Sequence, residues 1–473
     1  MRKQLFFLWL LFCLSACAPK PPTFEEDPTL LPAEYHFATS LQEVELPDPW
    51  WKSFHDPLLD QLIQELLENN PSLLEASSRL EEAMALEKAA RARRFPRLDF
   101  SFSARRRKTA DYLVLFGSSV TGEFSGSLVA SYEVDLWQKL SRAEKAARLR
   151  VLALEEERKA LAQSLIAELV TRYFQARYLN CRLAVVQEEL AVQETFLKAL
   201  RLRYERGLVS ASTLEQEERL YAALEMLVPE IEQQRSRLLQ EISVLLGRYP
   251  QPLAQEERGC SLDLPPPPPG LPSELLLRRP DIRAARAQVL AAAQEVASRR
   301  AARFPRLTLT GTEGRLSNAL KTLLQGNHRF WELAANLTQP IFDAGELKAQ
   351  EKAAQARFRQ AEAKYVRTLL QAFFEVETGL LGEEKEREKW LLAKRQERAA
   401  SLEEKILFER YVHGLVPSLD YLKMKHLRLE RQRERLGAEL ALLLNRISLY
   451  RALGGAWPLE ESALSGPLEE KER

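Results

Sequence analysis

The chain has 473 residues, and its 68 Lys and Arg nearly match its 67 Asp and Glu, for a formal net charge of +1. Charge this balanced and dispersed argues against a nucleic-acid partner. No run of eighteen apolar residues occurs, so no segment is suited to cross a bilayer as a helix.

Residues 1–16 read as a secretory signal. Arg2 and Lys3 make a positive start, Leu5 to Phe12 an apolar stretch too short for a membrane helix, and Leu14-Ser15-Ala16 a small-residue cleavage site. The ending Leu-Ser-Ala-Cys resembles the bacterial lipobox, whose cysteine becomes the lipidated first residue; here that is Cys17. The alternative is ordinary cleavage with Cys17 as a bystander. Ala18, not an aspartate, follows, which by resemblance to sorted lipoproteins favours the outer membrane. Export removes Arg2 and Lys3 and takes the charge from +1 to −1. Of four cysteines, Cys13 leaves with the signal and Cys17 carries lipid. Cys181 and Cys260 are too few and too isolated for a disulfide framework or a metal site.

After a lipid-anchored segment, 17–50, a helical stretch rich in alanine and charge is predicted over 57–94. It ends at RFPRL, 94–98, because a proline pushes the residue before it out of the helical region. Strand alternation follows: Leu98, Phe100, Phe102 and Ala104 against Asp99, Ser101 and Ser103. The returning strand sets Phe124, Leu128, Ala130, Tyr132 and Val134 against Glu123, Ser125, Ser127, Ser131 and Glu133. Residues 139–206 then run without proline in good helix formers. At 1.5 Å per residue such a run reaches about 100 Å, a length that implies coiled-coil packing. Gly207 stands where a left-handed C-terminal residue belongs, Ser212 to Glu215 makes a capping-box pattern, and a return helix is predicted over 210–247.

The layout then repeats. A helix over 274–303 meets a second RFPRL at 303–307, 209 positions after the first. Leu307 and Leu309 alternate with threonines, and Trp331, Leu333, Ala335 and Leu337 alternate with Glu332, Asn336 and Thr338. A long helix over 346–412 stops at Gly414, Pro417 suits a first turn, and a return helix covers 417–452. EKAA at 144–147 recurs at 351–354, and RYERGLV at 203–209 recurs as RYVHGLV at 410–416, both offset by 207. Three matches in one order mark a tandem duplication, with repeats at 51–260 and 261–457 and a tail at 458–473.

The alternating strands fit a transmembrane β-barrel, apolar outward and polar inward. Alone, they fit equally a soluble hairpin capping a helical bundle. Four strands cannot close a barrel within one chain, since single-chain barrels need about eight, so a membrane reading requires oligomerisation.

PDPWWKSFHDPLLDQL, the RRPDI of Arg278 to Ile282, and the closing LYRALGGAW resemble the TolC-type outer-membrane efflux factors, in the lipoprotein (NodT-like) branch serving resistance-nodulation-division pumps. The resemblance covers essentially the whole mature chain. It implies a mainly α protomer with a small β part, three of which build a 12-stranded outer-membrane β-barrel continued by a 12-helix periplasmic α-barrel. It further implies an exit duct partnered by a periplasmic adaptor and an inner-membrane resistance-nodulation-division transporter, with covalent lipid on Cys17 and no cofactor or nucleic acid. Gly207, Leu208, Gly414 and Leu415 match the tips where the adaptor docks. Tyr411 and Asp420 match residues of the closed periplasmic entrance. Lys423 stands where some members have a second aspartate, and pairing with Asp420 at i, i+3 is one expectation. A plain helix-start carboxylate is the other reading of Asp420. The five histidines show no ligand spacing, and no phosphate loop or nucleophile motif is present, so an enzyme is not expected. A periplasmic lipoprotein adaptor is the rival, but adaptors carry one hairpin where this chain has two. The exported substrate is not written in the sequence.

Overall fold

The computed structural model describes residues 18–24, 35–37, 49–108, 120–251 and 279–455. The expected signal, Cys17, the tail from 458 and the start of the helix expected from 274 lie outside them. Two helices, α1 (Pro57–Asn69) and α2 (Pro71–Ala92), lead into strands β1 (Arg97–Lys108) and β2 (Val120–Val134). The long α3 (Lys139–Glu205) and the returning α4 (Ala211–Leu245) complete the first pass. The second pass is α5 (Pro280–Ala301), β3 (Arg306–Ser317), β4 (Arg329–Thr338), α6 (Glu346–Val412) and α7 (Ser418–Ala452). The two long helices have 67 residues each, about 100 Å at 1.5 Å per residue.

Three local expectations are corrected. The stretch 57–94 is two helices, because Pro71 holds Asn70 extended at φ −67°, ψ 124°. Asn70 makes the break a joint: its Oδ1 accepts from the N–H groups of Ser72 (2.9 Å) and Leu73 (3.2 Å), and its Nδ2 donates to the Leu245 carbonyl (2.7 Å). At α4 the N-cap is Ser210 and not Ser212; its Oγ accepts from the Thr213 N–H at 3.3 Å. The chain reverses so tightly after Gly207 that the helix begins two residues sooner. Pro417 is likewise the extended N-cap of α7, one residue before its first turn.

The chain forms two compact units. One is built around Ser78–Glu156 and Arg283–Arg367. It holds a four-stranded antiparallel sheet in the order β1-β2-β3-β4, so β2 and β3 pair directly across the two repeats. The sequence echoes meet here. Arg94 of the first RFPRL pairs with Glu144 of the first EKAA. Arg303 of the second RFPRL pairs with Glu351 of the second EKAA at 2.7 Å, and Arg300 adds a contact at 2.9 Å. Burial raises the Glu351 pKa, but the two guanidiniums outweigh it and hold the carboxyl below its ordinary range. Trp137 stacks on Phe304 (4.9 Å) and donates Nε1–H to the Pro305 carbonyl (2.8 Å), tying the β2–α3 corner of one repeat to the RFPRL of the other.

The second unit comprises Asp27–Ser77, Glu157–Ile282 and Thr368–Arg473. Its core joins Trp50, Leu59, Ile63 and Leu66 to Ile166, Leu169 and Phe174 of α3, Ile242 of α4, and Ile447 and Tyr450 of α7. Trp50 stacks on Tyr450 at 5.5 Å, and burial pushes that phenol up to about 12. Asp56 caps α1 through the N–H groups of Leu58 and Leu59 and accepts from the Tyr173 hydroxyl at 2.8 Å. Along α6, a Cβ at Gly382 would collide with the Asn445 amide of α7, whose Nδ2 donates to the Gly379 carbonyl at 2.9 Å, so a side chain there would displace that bond. Cys181, expected to stand isolated, is disulfide-bonded, with its partner outside the described residues.

The RRPDI motif acquires a physical reason in this unit. Arg279 is buried, and its fork takes both carboxylate oxygens of Asp281 (2.7 and 3.0 Å), Glu375 of α6 (2.9 Å) and the Ala452 carbonyl at the end of α7 (3.0 Å). Burial opposes its charge, yet these partners hold its pKa above the ordinary value. One side chain thus satisfies a helix C-terminus and locks the start of α5 to α6 and α7.

Candidate functional site: helical tips and an amphipathic sheet

At both turns between long and return helices the backbone takes the left-handed conformation on glycine, with φ +69° at Gly207 and +71° at Gly414. The hydrogen bonds are those of a Schellman cap, twice over. Gly207 N–H donates to the Tyr204 carbonyl (2.9 Å) and Leu208 N–H to that of Arg203 (2.9 Å). Gly414 N–H donates to Tyr411 (2.9 Å) and Leu415 N–H to Arg410 (2.8 Å). A Cβ at either glycine would meet nothing within 4 Å, so the requirement is conformational and not steric. Leu208 and Leu415, next in the chain, are 69% and 73% exposed. The cap needs their N–H groups and not their side chains, so two apolar side chains are held in solvent at the turns.

Tyr411 stacks on Tyr421 (5.7 Å, 6° between planes), and Phe408 lies against the same ring at 5.3 Å. Neither Phe408 nor Tyr421 was singled out from sequence, although Phe408 and Tyr411 at i, i+3 share a helix face. Asp420 is exposed in the first turn of α7, a place that favours a carboxylate through the helix dipole. The expected Asp420–Lys423 pair is absent among the described residues. The Lys423 ammonium instead lies over the Phe196 ring, 5.8 Å from its centre, drawn by an aromatic face that belongs to α3 and was invisible from α7 alone.

The sheet is the other unusual surface. Leu98, Phe100 and Phe102 on β1, Leu128 on β2, Leu309 on β3, and Trp331, Leu333 and Leu337 on β4 are all exposed, Phe100 and Leu333 by 72% and 77%. The register puts them on one face: Leu98 opposes Ala130, Ala130 opposes Gly311, and Gly311 opposes Leu333. The opposite face carries Asp99, Ser101, Ser103, Ser127, Ser131, Thr308, Thr310, Thr312 and Asn336. A contiguous exposed apolar face this large requires an apolar solvent or a partner. Strands of 10 to 15 residues are long enough to span a bilayer when tilted. No helix among the described residues is long and apolar enough to do so.

Comparison with known proteins agrees. The profile of the family described as Outer membrane efflux protein matches residues 62–248 and 271–455. The chain is 31% identical over 467 residues to the pyoverdine export outer membrane protein OpmQ of Pseudomonas putida, covering 96% of this chain and 98% of the relative. It is 31% identical over 412 residues to the probable efflux pump outer membrane protein TtgC of the same species, covering 86% and 85%. Among solved structures, the outer-membrane channel OprN superposes with a TM-score of 0.82 at 27% identity, covering 92% of this chain and 99% of that one. The open MtrE channel of Neisseria gonorrhoeae gives 0.81 at 27% identity, covering 93% and 98%. With its two repeats matched, its sheet amphipathic and its helices capped alike, the chain belongs to the outer membrane efflux protein family and has the fold of the TolC-type channels.

Proposed function

We propose that this chain is the outer-membrane exit duct of a tripartite efflux pump, working as a homotrimer. The sheet carries the proposal. It is four-stranded, apolar on one face and polar on the other, and β1 and β4 each pair on one side only among the described residues. Four strands are too few to close, and three copies supply twelve, within the range of membrane barrels. Closure also removes the unpaired edges. Helices about 100 Å long fit a duct crossing the periplasm. The exposed leucines beside Gly207 and Gly414 are then the docking tips for the adaptor, and the inner-membrane transporter selects the cargo. One relative is named for pyoverdine export and another for toluene efflux, so the class of cargo is small exported molecules. Purified protein added to planar bilayers is expected to give discrete conductance steps; intact protein that inserts without conducting would overturn the proposal.

Two predictions attach to this reading. Cys17 is the lipid anchor, so Cys17→Ala is expected to lose fatty-acid labelling while the barrel still inserts. Unlabelled wild-type protein in cells with working lipoprotein processing would refute the anchor. Asp420 sits six residues beyond Gly414, and a three-fold axis would gather three carboxylates at the entrance. Like charges held together favour a bound cation. Asp420→Ala is expected to lower cation selectivity and divalent block in bilayer recordings, by about twofold because Lys423 stands one turn away. Traces with both properties unchanged would place Asp420 outside the pore.

A further inference from the structure

The apolar face of the sheet does not stay apolar to its end. On the same side as Leu98, Phe100 and Phe102, β1 continues with Arg106 and Lys108. β3 continues past Leu309 and Gly311 with Glu313 and Arg315, and β4 begins with Arg329 before Trp331. In the described part of that face, four cations meet one carboxylate, Glu313, which pairs with Arg329. The Arg315 guanidinium is held by the carbonyls of Leu324 and Gln325, and Arg106 and Lys108 make no ion pair among the described residues. Arg106 and Lys108 are exposed.

The boundary between apolar and charged residues falls between Ala104 and Arg106 on β1 but between Gly311 and Glu313 on β3, which is nearer the helices by register. On β4 it falls between Trp331 and Arg329, one row farther from the helices than on β3. The charged ends are also those at which the chain passes from one strand to the next, across residues 109–119 and 318–328, while the opposite ends lead into α2, α3, α5 and α6. In a membrane barrel the longer loops face the exterior. Phe102, Phe124 and Trp331 sit at the boundary, where an aromatic girdle belongs.

We propose that Arg106, Lys108, Arg315 and Arg329 form a collar on the lipid-facing side that binds the phosphorylated headgroups of outer-leaflet lipid. The inference rests on the sheet being a membrane wall. Guanidinium and ammonium groups directly above an apolar and aromatic band match a lipid whose phosphates lie directly above its acyl chains. The neighbouring Arg105 and Arg107 project to the polar face and take no part.

The test uses the full-length protein in detergent, incubated with bisphosphorylated lipid A or with the same lipid stripped of both phosphates. Retained lipid is counted by mass spectrometry after gel filtration. Wild type and Arg105→Gln/Arg107→Gln are expected to retain the phosphorylated lipid about fivefold better, and Arg106→Gln/Lys108→Gln/Arg329→Gln to lose that preference. Arg106→Gln alone should show an intermediate loss, which covers failure of the triple variant to fold. Equal retention of the two lipids by wild type, or equal loss in the Arg105/Arg107 variant, would overturn the collar. Release of the lipid by excess inorganic phosphate would show a free-anion site and overturn it too. Conducting channels without phosphate preference remove the collar alone; protein that neither conducts nor retains either lipid removes the duct.

Discussion

Gly414→Val is expected to abolish efflux while leaving the protein assembled in the outer membrane. At φ +71° an L side chain with a branched Cβ is strained, on the order of 1–3 kcal/mol. The strain is local. An added Cβ would meet nothing within 4 Å, so no core is disturbed, and the lowest-cost relief is to open the turn. Opening it breaks the bonds from Gly414 to Tyr411 and from Leu415 to Arg410, which aim the Leu415 side chain into solvent. If the tip docks an adaptor, its shape is the function. Gly414→Asn is the informative control, since asparagine tolerates the left-handed region and should keep most activity. Gly207 has the same cap and the same open space, so a Gly207→Val/Gly414→Val protein should be inactive as well. Efflux would be read as accumulation of a fluorescent substrate, and assembly as trimer in outer-membrane fractions. Full efflux from the double variant would end the docking assignment.

Arg279→Ala is expected to be the most damaging single substitution to stability in the second unit. It leaves the Glu375 carboxylate and the Ala452 carbonyl without the guanidinium that bound both. Breaking one side of a buried pair costs about 3–5 kcal/mol, and the lower end applies because Glu375 keeps partial contact with water. Arg279→Lys should recover less than half of the loss, since an ammonium cannot reproduce the planar fork on Asp281 while also reaching Glu375 and Ala452. The urea concentration at half-loss of native structure would be compared with that of Arg299→Ala, whose contact is an exposed one to Gln350. Equal midpoints for the two alanine variants would show that the Arg279 cluster does not hold the helices together.

What could be read in advance follows the range of each interaction. Helix α6 was expected over 346–412 and runs Glu346–Val412, because sixty-seven residues of good helix formers need no tertiary information. The positive φ at Gly207 and Gly414 was equally local. The pairing of RFPRL with EKAA was half visible: the repeats stood out, but only the fold shows that Arg94 meets Glu144 and Arg303 meets Glu351. The break at Asn70 was hidden because the helical pattern continues on both sides of Pro71 around a single extended residue. Arg279 reaches partners 96 and 173 residues away, and nothing local announces them. The charged collar needed the register, since only the three strand pairings together show that Arg315 shares a face with Phe102 and Arg329. Lys423 turned from Asp420 to the Phe196 ring for the same reason.

The central claim, that the four-stranded sheet is one third of a closed membrane barrel, is tested most directly by native mass spectrometry of the full-length protein released from detergent. The expected result is a single species of three chains that keeps its β-sheet signal until boiled. A species of one or two chains with an intact sheet would contradict it, because neither could cover the edges of β1 and β4 and still enclose a pore.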